Sequence, residues 1–374
     1  MNMAVNTTPI SAGQALEALR AGHAAQKAGW MTASWMLHGR PGIGKTEIVQ
    51  QLATETGSRL FDLRLTTIEP QDLRGLPFYD HETKRTVWYR PEDLPDDPIT
   101  PAILFLDELT AAAPMLQPTV YGLLQERRVG RHGLPDSTFI VAAGNAVEDG
   151  AVAYEMGTAL SDRLIHLSIR AEASDWLTRY AVPKGLHRSV TAFIRTRPDL
   201  LDTTEEGLRR GQMITCTPRS WARVSEILHA VSDKALRDIL IAGTLGEAAA
   251  AEFILIAEDI ASSVQAIDMI EARGADRLAL YPASLHGLTA LVYALVRLAE
   301  ADTIAPVIDV MAEIRTLGTA RSDANFARLP LGELCTYGFE LLIDKALKDG
   351  LQEAFRTSKS YSAYAAERKE IGLG

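Results

Sequence analysis

Eight residues early in the chain, Gly39-Arg40-Pro41-Gly42-Ile43-Gly44-Lys45-Thr46, set three glycines, a lysine and a hydroxyl at the spacing G-x-x-x-x-G-K-[ST]. That spacing suits a polyphosphate. The glycines let the backbone curl so that successive N–H groups point at phosphate oxygens. Lys45 brings a point charge to the outer phosphates, and the Thr46 hydroxyl can ligate Mg²⁺. Further along, the apolar run Ile103-Leu104-Phe105-Leu106 ends abruptly in Asp107-Glu108. Asp107 is suited to hold Mg²⁺ through its water shell, and Glu108 to polarise an attacking water. Alone, an apolar run ending in two acids is commonplace. Beside a complete phosphate loop it reads as the other half of a nucleotide-hydrolysing site, with ATP and Mg²⁺ as the expected cofactors.

A phosphate loop needs a strand before it and a helix after it, whose N-terminal partial charge faces the same anion. Met31–His38 and Thr46–Glu55 supply them. Further strands are expected at Leu60–Leu65, Ala102–Leu106, Phe139–Ala143 and Leu164–Ile169, with a helix at Met115–Arg127. Short apolar runs alternating with helical patterns predict a mostly parallel sheet covered on both faces, an α/β fold. A leading helix over 11–28 carries Ser11 and Gln14 in capping-box spacing. After Arg170 the strand signals fade. Trp176–Tyr180, Leu186–Ile194, Pro218–Val231, Ala235–Ala242 and Ala248–Ile260 have helical spacing, while the polar stretch Thr203–Gln212, with Gly207 and Gly211, reads as a loop.

Three segments, LFLDELTAAAPMLQPTVYGLLQERRVG, FIVAAGN and ALSDRLIHLSI, resemble AAA+ ATPases of the MoxR-like group, in the family's order and over roughly residues 10–265. The resemblance implies a P-loop fold with a five-stranded parallel sheet and a small helical lid, assembled into hexameric rings. On that basis residues 1–170 form the nucleotide-binding domain and 171–265 the lid. Residues 266–374 form a further helical region without an assigned role. The resemblance also makes Asn145 the sensor that helps hold the attacking water. Arg163 becomes the arginine finger delivered to a neighbouring subunit, and Arg219 the second sensor, reaching the γ-phosphate. Thr217 and Pro218, just before Arg219, suit the N-cap and first position of a helix. Two departures stand out: Ala146 where the family usually has proline, and Leu164 where it often has phenylalanine.

Between the second strand and the acidic motif, Leu76–Tyr89 reads as a β-hairpin with aromatics on both arms. A second hairpin is expected around Val129–Pro135. In the family the first faces the central pore; its aromatics either contact a threaded partner or serve packing, and the sequence leaves both readings standing.

Composition sets the outer limits. With 47% hydrophobic residues the chain can bury a sizeable core, and its 374 residues predict two or three domains. The formal charge of −10, from 38 basic and 48 acidic residues, argues against a protein that coats nucleic acid. Cys216 and Cys335 stand far apart, and the eight histidines show no i, i+4 pair, so a disulfide framework or a zinc site is not expected. The start of the chain lacks a secretory pattern, and Leu285–Leu298 is too short to span a bilayer. The expected setting is the cytoplasm, without a membrane. The resemblance to MoxR-like ATPases implies the leading functional expectation, an ATP-driven remodelling enzyme that activates a separate partner bearing a von Willebrand factor A domain. The alternative is a motor or loader acting on nucleic acid. A non-hydrolysing switch fits poorly, because it needs no complete hydrolytic set.

Overall fold

In the computed structural model the described residues are 6–145, 158–263, 265–321 and 326–370. Ala146 lies outside them, as does the start of the chain up to residue 5. The chain divides into two compact units. The first runs to Asp175 and includes Asp202–Met213 and Thr217–Arg219.

The first unit opens with α1 (Ala12–Lys27), capped as its sequence predicts: the Ser11 hydroxyl accepts from the Gln14 amide, and the Gln14 side chain accepts from the Ser11 amide. Then come β1 (Ser34–His38), α2 (Lys45–Thr56), β2 (Arg59–Arg64), the short α3 (Pro70–Arg74), β3 (Pro77–Asp80) and β4 (Arg85–Trp88). They are followed by β5 (Ala102–Asp107), α4 (Gln117–Glu126), β6 (Arg128–Val129), β7 (His132–Gly133), β8 (Thr138–Gly144) and β9 (Leu164–Ser168). Five strands form one all-parallel sheet in the order β2-β5-β8-β1-β9.

Alternation along the central strands feeds two cores. Ile103 and Phe105 of β5 pack with Trp35, Leu37, Val141, Leu52 of α2 and Leu19 of α1. Leu104 and Leu106 pack on the opposite face with Met36, Ile140 and Val120 and Leu123 of α4. All six residues of β5 are buried, as a parallel strand covered on both faces demands. At the β9 edge, Ile10 adds one parallel bridge to Ile169 and blunts the open strand.

The second unit comprises Trp176–Leu201, Ile214–Cys216 and the chain from Ser220 onward. It is helical throughout its described residues apart from connecting turns. Its cores include Phe193, Trp221 and Phe253, whose rings meet at 5.2–5.4 Å. Helix Leu285–Leu298 is buried from Gly287 to Val296. Among the described residues no single helix is long and apolar enough to cross a membrane. Helices on both sides of residue 265 share this one unit.

One expectation is corrected. Thr203–Gln212 is not a loop: Thr204–Arg209 is helical. Its polarity misled, because ion pairs at i, i+4, Glu205–Arg209 and Glu206–Arg210, support an exposed helix that has little apolar face.

Candidate functional site

The phosphate loop, the acidic pair and Asn145 all follow the carboxyl ends of adjacent central strands. β1 ends at His38 and leads into Gly39; β5 ends in Asp107; β8 ends at Gly144, just before Asn145. In an open parallel sheet that edge is where ligands bind, since loops diverge there and helix N-termini converge.

Gly42 and Gly44 adopt left-handed backbone conformations at φ of 83° and 103°. At Gly42 a side chain is excluded twice over, because a Cβ there would lie 2.9 Å from the Thr217 hydroxyl. Gly144 has a different constraint: a Cβ would lie 2.6 Å from Thr110 and 2.8 Å from Met36. The Thr110 hydroxyl accepts the Asn145 amide at 3.0 Å, which anchors the turn carrying the sensor side chain.

Lys45 opens α2. Its ammonium donates to the Gly39 carbonyl at 2.5 Å, the Arg40 carbonyl at 3.1 Å and Asn145 Oδ1 at 2.8 Å. Lysine and asparagine thus meet directly at the mouth of the loop. Arg40 turns aside to Asp202 and Glu205, at 3.7 and 3.1 Å. Arg219, at the start of helix Pro218–Ala230, donates its backbone N–H to the Gly42 carbonyl at 3.2 Å. Pro41, Ile43 and Thr46 lie in the same turn, with the Ile43 side chain buried in the core beside α2.

Asp107 is 8% exposed and accepts the Glu108 amide through Oδ1 at 2.9 Å. Glu108 sits at φ 58°, a left-handed conformation that costs a non-glycine residue about 1–2 kcal/mol. Such a turn redirects the carboxylate as the strand ends. The Thr66 hydroxyl donates to Glu108 at 2.5 Å, and Arg64 stands 4.0 Å from both acids. Thr66, Arg64 and Thr110 were not singled out from sequence, and Thr217 only as a helix cap. Thr66 and Thr110 follow strands at the same carboxyl edge as the acids, and that position was the available signal.

Arg163 is not brought to this cluster. Leu164 pairs with Ser34, and Ser168 with His38, so the residue before β9 lies at the amino edge. Five residue steps of about 3.3 Å put it roughly 16 Å of strand from the phosphate loop's end of the sheet.

The residues fit a magnesium nucleotide. The loop is too tight at Gly42 for a side chain, Lys45 is bonded to neutral oxygens that a phosphate can replace, and the Thr46 hydroxyl and the Asp107 carboxylate offer hard oxygen donors. Both hairpins form, β3–β4 and β6–β7. Phe78, Tyr79 and Tyr89 on the first are 51–68% exposed, so they are not core residues.

This sheet order, with a phosphate loop after its fourth-ordered strand and acids after its second, defines a P-loop fold of the AAA+ type. Residues 34–166 match the family model of ATPases associated with various cellular activities (AAA). The chain is 32% identical to the mouse ATPase family gene 2 protein homolog B over 105 residues, 28% of this chain and 12% of that one. The cattle homolog matches equally over 105 residues, 28% of this chain and 11% of its own length. The match therefore spans about an eighth of these relatives. Among solved structures, a Cytophaga hutchinsonii protein described as an ATPase is 16% identical, covering 88% of this chain and 80% of its own, with a TM-score of 0.32. A Thermotoga maritima RuvB variant is 13% identical, covering 76% and 74%, with a TM-score of 0.36.

Proposed function

We propose that the chain is an ATP-hydrolysing remodelling enzyme of the MoxR type, acting in the cytoplasm as a homo-hexameric ring that activates or assembles a separate partner bearing a von Willebrand factor A domain. The observation that carries the hydrolytic reading is the 2.8 Å contact between Lys45 and Asn145, on an edge shared with Asp107 and Glu108. Phosphate binding and water positioning thereby fall within one hydrogen bond of each other.

Lys45, the loop amides and the start of α2 bind and orient the triphosphate. Thr46 and Asp107 would hold Mg²⁺, which offsets charge on the phosphate oxygens when bound. Glu108 accepts a proton from the attacking water, Asn145 holds that water in line, and Arg219 reaches the outer phosphate. Arg163, a strand length from its own pocket, serves a neighbour's pocket instead. The exposed aromatics of the β3–β4 hairpin offer the surface that touches the remodelled partner.

Glu108→Gln tests the reading. The amide keeps size and hydrogen bonding but cannot take the proton, so ATP binding persists while turnover falls by about 10²–10⁴-fold. Hydrolysis at the wild-type rate would remove Glu108 from the reaction. Salt-sensitive stimulation of the wild-type ATPase by DNA would instead favour the motor reading.

A further inference from the structure

One face of the sheet carries a polar chain that the hydrolytic site does not use. His38, the last residue of β1, places Nε2 2.7 Å from Nδ1 of His166 in β9, with the rings stacked at 5.0 Å. His166 Nε2 lies 2.9 Å from the Ser161 carbonyl and 3.1 Å from its hydroxyl. A carbonyl only accepts, so His166 carries its proton on Nε2 and accepts through Nδ1; His38 donates from Nε2. The order is unique in these contacts and runs from the carboxyl edge of the sheet to its amino edge.

Both ends of the chain touch functional segments. His38 precedes Gly39, whose carbonyl accepts from Lys45 at 2.5 Å. Ser161 stands two residues before Arg163, whose amide donates to the Leu160 carbonyl at 3.1 Å and closes the turn. His38 is 8% exposed; on the same face of the sheet lie Met36 and Leu164, and Ser34, whose hydroxyl donates to the Leu124 carbonyl. Two imidazoles at such a place cost desolvation that aliphatic residues would not. Burial, His166 and Lys45 together push His38 down to about 4, so His38 is uncharged at neutral pH.

We propose that His38, His166 and Ser161 form a relay that positions Arg163 according to the state of the phosphate loop in the same subunit. His38 and His166 are positioning residues and touch neither nucleotide nor metal. The proposal rests on the reading of Arg163 as a finger for a neighbouring pocket. Rearrangement of Gly39–Lys45 around a phosphate shifts His38 at the end of β1. The shift passes through two short hydrogen bonds to the Ser161 carbonyl and so to the turn that holds Arg163.

Mixed assemblies test it, because there the finger and the pocket come from different chains. Glu108→Gln subunits supply a finger and a phosphate loop that still binds ATP but no working pocket, and Arg163→Ala subunits supply the reverse. Under conditions that exchange subunits, mixing them should restore ATPase activity. His166→Ala is then added to one partner at a time. On the finger-donating Glu108→Gln chain it should cut the restored rate about tenfold, and on the Arg163→Ala chain less than about twofold. His38→Gln on the finger donor keeps an N–H facing His166 and should retain most of the rate, whereas His38→Leu should lose it. Equal losses in both placements, or no loss in either, would overturn the relay while leaving the trans finger intact. If the parental mix shows no recovery although exchange is confirmed, the trans finger itself fails and the relay falls with it.

Discussion

The carboxyl edge of the sheet and the interior of the helical unit use cationic and polar side chains to opposite ends. At the sheet edge, Lys45 bonds two carbonyls of its own loop and the Asn145 amide oxygen, all neutral and all replaceable by phosphate. In the helical unit, Arg277 is 3% exposed and pairs with Glu313 at 2.8 Å while also donating to the Ala272 carbonyl. There the Tyr281 hydroxyl donates to the Val310 carbonyl, and the Tyr293 and Tyr337 hydroxyls meet at 2.9 Å. Burial and the Glu313 carboxylate push the Tyr281 hydroxyl far up. A polar group kept for a ligand is recognised by partners that the ligand can displace; one kept for the fold is held by neighbours of its own, even where, as at Arg277 Nη2, one donor is left without a described partner.

The sharpest way to break this contrast is Lys45→Ala. Loss of a charge-assisted contact worth about 3 kcal/mol should weaken ATP-analogue binding by 100-fold or more, with an unchanged melting temperature. Unaltered binding by fluorescence titration would remove the central claim. The reciprocal change, Arg277→Met, should leave nucleotide affinity alone and lower stability by about 1–2 kcal/mol, since Glu313 and the Ala272 carbonyl lose a charged donor. That is roughly 2–6 °C in a thermal melt; an unshifted melt would show that the pair does not hold the helical unit together.

The smallest effect sharpens the contrast from within the helical unit. Arg188 lines an open cavity of about 900 Å³ beside His187 and Tyr293. It makes no ion pair with any described residue, and burial alone pulls its guanidinium down. Arg188→Met should therefore raise the melting temperature, by no more than about 2 °C. A clear fall would show that the side chain contributes packing or pairing.

The first unit was largely legible because its chemistry is local. A phosphate loop is eight consecutive residues, and the runs Ile103–Asp107 and Thr138–Ala143 announce buried parallel strands by composition alone. Their ends could be placed to within a few residues, and Met31–Ala33 fell outside β1 because strand ends depend on the ladder rather than on propensity. The hand that holds Glu108 was not legible. Thr66 and Glu108 are far apart in sequence and meet only because β2 and β5 are paired in register. The His38–His166 contact was invisible for the same reason. A search for histidines at i, i+4 tests one helix, and these two lie on neighbouring strands. The helix at Thr204–Arg209 was missed because charge pairs, rather than an apolar stripe, support it.

On the proposed reading of Arg163 as a finger for a neighbour's pocket, its placement opposite the phosphate loop along one strand length also gives the proposed assembly a direction. A contact joining the amino edge of one copy to the carboxyl edge of the next is heterologous, head to tail. A single such contact between two copies leaves a donor edge unused on one and an acceptor edge unused on the other. Growth therefore proceeds by addition at either end until the angle between copies closes the figure. Any open run of copies holds one pocket more than it has completed sites, so closure itself switches on the last subunit. Activity per chain should then rise with concentration as open runs lengthen, and level off once they close.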